Sequence, residues 1–133
     1  MNTNYFLNLV AGNVLGSKTN PPIPSNYYVG LSTTPPSSDG TGWTEPASGA
    51  GYARALISSF SEPDSGTVSN SVIISFGDAT ASWGVVTHFL IFDSSGDNGN
   101  LLMYGPLSFS KTIDAGDTVQ IRAGALSLSV ADP

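Results

Sequence analysis

"TASWGVVTHFLIFD" (Thr80–Asp93) decides the fold. From Gly84 onward it is a run of β-branched and aromatic residues, the types that fit a pleated, half-buried surface. Strand alternation puts Val86, His88, Leu90 and Phe92 on one face, and Val85, Thr87, Phe89, Ile91 and Asp93 on the other. His88 is the one histidine of the chain. It shares its face with apolar side chains, so it is read as a hydrogen-bonded residue in or beside the core rather than a catalytic base. Trp83-Gly84 places a bulky anchor at the strand entrance, where the glycine lets neighbouring chain pack closely.

The flanking sequence repeats the strand pattern. "YYVGLS" (Tyr27–Ser32), "YARALIS" (Tyr52–Ser58) and "SVIISF" (Ser71–Phe76) precede the run. "LLMYGPLSF" (Leu101–Phe109) follows it, with Gly105-Pro106 predicting a bulge or edge kink. "TVQIR" and "ALSLSV" close the chain, and Ala123-Gly124 between them suits a hairpin turn. Strands divided by Gly, Asp, Asn and Ser turns predict an all-β fold, a single antiparallel β-sandwich or jelly-roll domain with a short N-terminal helix.

That helix begins at Thr3 or Asn4, either of which can cap it. Phe6, Val10 and Val14 fall on one face with Leu7 beside them, and Gly16 is placed to end the helix in the left-handed region. It either plugs one end of the β-structure or acts as an arm that docks on a neighbouring subunit. "TNPPIPSN" (Thr19–Asn26) forbids helix and favours extended chain. The chain therefore divides into residues 1–26, helix and Pro-rich arm, and residues 27–133, the β-sandwich. Residues Thr33–Gly51 form a long loop of proline, glycine and small polar residues, of the length that is functional or lies across a partner. Trp43 within it either pins the loop to the core or forms a contact hot spot.

Composition narrows the function. The 133 residues are 40% hydrophobic and only 11% charged, so a real core is covered by a surface of Ser, Thr, Asn and Gly. Net charge is −6, and the four basic residues, Lys18, Arg54, Lys111 and Arg122, form no run. Binding to a nucleic-acid backbone or an anionic membrane needs clustered cations and is not expected. With no cysteine, disulfides and thiolate chemistry are excluded, which fits a reducing cytosol or a particle assembled there. The N-terminus shows neither a basic leader nor an apolar span.

No phosphate-binding glycine loop, G-x-S-x-G elbow or H-E-x-x-H occurs. The acids sit in "SSDG", "SEPDSG", "FDSSGDNGN" and "DAGD", where turn chemistry explains them. Asp93, Asp97 and Asn98 come closest to a cation loop but lack the EF-hand order. No catalytic residue, metal site or cofactor is expected.

Several segments together resemble a family of small bacteriophage virion structural proteins, commonly labelled tail fibre or minor tail proteins. They are "YYVGLSTTPPSSDGTGWTEP", "GYARALI", "FGDATASWGVVTHFLIFD", "GNLLMYGPL" and "KTIDAGDTVQIRAGALSLSV", in the family's order and covering nearly all of the chain from Tyr27. The loop reading "EPASGAGYAR" and the Pro-rich N-terminal region depart from the family pattern. The resemblance implies a non-enzymatic virion protein, assembled in the host bacterial cytoplasm, and carries over no catalytic residue.

Two places on the particle compete. The family label says tail. The small size, the absence of a repeat and the weak charge lean towards a capsid decoration, or cement, protein that stabilises the shell. Expected partners are the chain itself, as a homotrimer, and the major capsid protein or tail and baseplate proteins. Candidate contact residues are Tyr5, Phe6, Pro21, Pro22, Trp43, Glu45 and Tyr52. A second reading is a host-receptor module in which Trp43, Tyr27, Tyr28 and Tyr52 stack on glycan, which requires exposed rings beside convergent polar groups. A third, a depolymerase, requires two acids, or His88 with an acid, in one cleft.

Overall fold

A computed structural model describes residues 1–16, 23–96 and 99–129. Pro21, Pro22, Asp97 and Asn98 lie outside the described residues. Helix α1 (Asn4–Val10) is followed by eight strands: β1 (Tyr28–Ser32), β2 (Ala55–Leu56), β3 (Thr67–Ser69), β4 (Ile74–Asp78), β5 (Gly84–Phe92), β6 (Leu101–Ile113), β7 (Thr118–Ile121) and β8 (Ser127–Ser129). All pairings are antiparallel. One sheet runs β2-β1-β5-β6, and β3-β8 and β4-β7 form two short ladders. Val29, Leu31, Val86, Ile91 and Leu102 of the large sheet meet Ile74, Phe76 and Leu128 of the ladders, and Leu126 just before β8, in one core. This is the expected all-β sandwich.

The opposite face of the large sheet carries a second cluster, Leu90, Phe92, Leu101 and Tyr104, with Trp43 packed against it. Val86 belongs with Ile91 and Phe89 in the first cluster, not with Leu90 and Phe92. The β5–β6 register shifts between Val86 and His88, and that irregularity interrupts the simple alternation the sequence predicts. It occurs beside Gly105-Pro106, where a bulge was expected: the register passes from His88↔Pro106 to Val86↔Lys111.

Thr3 caps α1, its hydroxyl accepting from Phe6 N at 3.2 Å. The helix continues as a π-helical turn, Ala11–Leu15, closed by Gly16 N donating to the Ala11 carbonyl at 3.0 Å. That wider turn satisfies the end without a left-handed cap, so Gly16 has φ −88° rather than the predicted left-handed conformation. Residues preceding the helix cover part of the β6 edge: Asn2 bridges Met103, and Thr3 N donates to the Leu102 carbonyl at 2.9 Å.

Three expectations about strands fail for identifiable reasons. The predicted strand Tyr52–Ser58 shrinks to Ala55–Leu56, because Tyr52 and Arg54 are drawn into side-chain contacts with the preceding loop. β4 starts at Ile74 rather than Ser71, because the buried Asn70 side chain donates to the Val72 carbonyl and holds a turn there. β7 and β8 do not form a hairpin with each other. Asn70 stands between them, its Nδ2 donating to the Arg122 carbonyl at 3.0 Å and its Oδ1 accepting from Leu126 N at 2.9 Å. The chain leaves β7 for a different ladder, in which β8 pairs with β3, a strand the sequence pattern did not predict.

Candidate functional site

The densest polar constellation joins the long loop to the strand segment that follows it. Tyr52 and Arg54, two residues apart in extended chain, both reach Glu45. Arg54 makes a bidentate pair, Nε to Oε2 at 3.0 Å and an Nη to Oε1 at 2.8 Å. Its other Nη donates to the carbonyls of Ser94 (3.1 Å) and Gly96 (2.6 Å), so one guanidinium ties together two loops. The Arg54 side chain is 3% exposed and that of Glu45 16%.

Aromatic rings enclose the ion pair. The guanidinium carbon lies 3.5 Å from the Phe92 ring centroid and 5.8 Å from that of Trp43. Trp43 meets Phe92 edge to face, and its indole N–H donates to the Gly40 carbonyl at 2.9 Å. Tyr52 packs against Trp83 and Phe76, and its hydroxyl donates to Glu45 and accepts from Leu31 N at 3.0 Å. Burial pushes the Tyr52 phenol well above its ordinary range, and the Glu45 carboxylate adds to the shift. Gly30 is required beneath this group: a Cβ there would sit 2.7 Å from the Tyr52 hydroxyl and 2.9 Å from Glu45 Oε2.

Every strong donor and acceptor of the cluster faces another part of the same chain. It is a clasp, and its chemistry is cohesion. Of the candidate contact residues, Trp43, Glu45 and Tyr52 come together here. Tyr5 and Phe6 lie apart from them, half-buried against the main core. Arg54, the centre of the clasp, was noted in the sequence only as an isolated cation. The signal that finds it is a Y-x-R pair following an acid across a Gly-rich loop.

Several other carboxylates hold turns or neighbouring strands. Asp39 accepts from Thr41, Asp93 from Asn100, Asp117 from Asp114 N and Asp78 from Thr118. His88 is half-buried, and its Nδ1 lies 2.8 Å from the Thr87 hydroxyl. Burial holds its imidazole below the ordinary value. Among the described residues no group of three or more His, Cys, Asp or Glu could hold a metal ion. Among them, too, no helix is long and apolar enough to cross a membrane.

Fold and clasp together define a small all-β protein whose buried charges hold its own loops in place. The chain belongs to the family of the podophage GP4 fiber I protein gp80, whose model matches residues 2–129. No curated protein matches it. It is thus a bacteriophage structural protein and a part of the virion.

Proposed function

We propose that the protein is a non-enzymatic component of the virion's fibre apparatus that works through protein–protein contact. The observation that carries this is the family match over residues 2–129, a fibre family. The clasp supports it, because two of the rings that a glycan-binding site would use, Tyr52 and Trp43, are engaged internally. Tyr52 is buried, and Trp43 is fixed between Phe92, Arg54 and Gly40. Capsid decoration, towards which composition leans, would use the same kind of contact. Family membership favours the fibre.

The proposal is tested by gold labelling of intact virions with an antibody raised against the chain. Label at the tail or its fibres is expected. Label spread evenly over the head would overturn the fibre reading in favour of shell decoration.

A further inference from the structure

A cleft of about 250 Å³ opens between α1 and the sandwich and shares no residue with the clasp. Its buried members, Ile91, Leu102 and Leu128, form a floor that belongs to the main core. Its rim is aromatic. Phe6, Tyr27 and Phe60 are each half-buried, and the Tyr27 and Phe60 rings meet edge to face with centroids 6.0 Å apart. Among the described residues that line the cleft, Tyr27 alone carries a hydroxyl. An apolar cavity of about 150 Å³ already takes a benzene-sized molecule, so this one has room for a ring or a short alkyl chain.

A carboxylate stands at the rim. The β1–β5 register, which pairs Val29 with Ile91 and Tyr28 with Phe92, brings Tyr27 beside Asp93. Asp93 is half-buried and follows Ile91 of the floor by two residues, which is the spacing of one strand face. Its charge reaches the phenols on this side of the molecule: burial, with the Asp93 carboxylate adding to it, pushes both Tyr27 and Tyr5 of α1 above their ordinary range. One Asp93 oxygen accepts from Asn100 N at 2.7 Å and the other from Asn100 Nδ2 at 3.1 Å. A carboxylate has room for further donors beyond these two. Among the described residues no basic side chain pairs with it, the ion pair there being Arg54–Glu45.

Aromatic rings and a carboxylate around the mouth of an apolar cleft are the surroundings that hold an organic cation. The rings attract it through their quadrupoles and the carboxylate through its charge. The arrangement also sets the direction of entry. The floor is apolar and the charge is at the mouth, so an apolar body goes in first and the cationic head stays beside Asp93. A lysine side chain of a partner protein presents its charge first and would carry it onto that floor, at a large cost in lost hydration. We propose that the cleft binds a small organic ammonium compound, its alkyl or aryl body on the floor and its head between the rim rings and Asp93. The site stands independently of whether the protein belongs to a fibre or to the shell.

NMR titration of the full chain tests this with hexylammonium chloride, its neutral isostere 1-hexanol and the hexanoate anion. The wild type is expected to bind hexylammonium saturably and about fivefold more tightly than hexanol, and hexanoate more weakly than either. Asp93→Asn is expected to weaken hexylammonium binding about threefold and to leave hexanol binding unchanged. Val68→Phe, which fills the cleft from β3, is expected to abolish binding of both with Asp93 in place. If Asp93→Asn fails to fold, Val68→Phe and the order of the three probes on the wild type decide. No saturable binding of hexylammonium up to about 20 mM, a wild type that binds hexanol as tightly as hexylammonium, or a hexylammonium affinity that Asp93→Asn or Val68→Phe leaves unchanged would overturn the proposal.

Discussion

Arg54 is one of four basic residues in the chain, yet its side chain is nearly withdrawn from water and faces a carboxylate, two carbonyls and an aromatic ring. Removing one partner from such a pair leaves the other charge buried alone, which costs about 3–5 kcal/mol. Because Glu45 keeps some exposure, Glu45→Gln is expected at the lower end, about 3 kcal/mol, in urea unfolding. The double variant Glu45→Gln/Arg54→Met is expected to lose less than the sum of the two single variants, since it leaves no orphaned charge. Additivity would show that the pair contributes little.

His88 gives a pH effect of determinable sign. Burial puts its folded pKa below the unfolded one, so the unfolded chain takes up the proton first as pH falls through about 6.5. The stability His88 contributes is complete above that pH and is lost as pH drops towards the folded pKa. Urea midpoints measured between about pH 5 and 7 should fall on acidification for the wild type and flatten for His88→Gln. Equal slopes would show that the imidazole is as solvated in the folded state as in the unfolded one.

Among the elements, Asn70 separates the final two strands. It is 1% exposed, and its side chain makes three hydrogen bonds, to Val72, Arg122 and Leu126. Asn70→Ala leaves these backbone groups without their partner and is expected to cost about 2–4 kcal/mol in thermal or urea unfolding. A loss under about 0.5 kcal/mol would mean that water replaces the side chain and that Asn70 does not direct the strands.

The same residue shows where reading the sequence stops. β5 was readable to its ends, because a run dominated by β-branched and aromatic residues leaves little choice. β1 and β7 were readable within a residue or so. The pairing of β7 and β8 was not, because alternation and an Ala-Gly turn describe a hairpin well, and a buried asparagine some fifty residues upstream overrules them. The clasp was half readable. Trp43, Glu45 and Tyr52 stood out by type, while Arg54's role depends on the folding of two loops across each other. The face assigned to Val86 was lost to a register shift that Gly105-Pro106 announces on β6, but whose effect on the facing strand alternation alone does not show.

At the scale of the molecule, low charge, a polar small-residue surface and a few exposed apolar side chains suit a protein that lives among other proteins. The family match places it in the virion and supports a fibre role. A fibre component and a shell component differ most simply in number, since a fibre is built a few times per particle and a shell lattice repeats over its whole surface. Quantitative mass spectrometry of purified virions, referenced to the major capsid protein, measures that number directly. The fibre account predicts only a small number of copies per particle; a count comparable with the major capsid protein would contradict it.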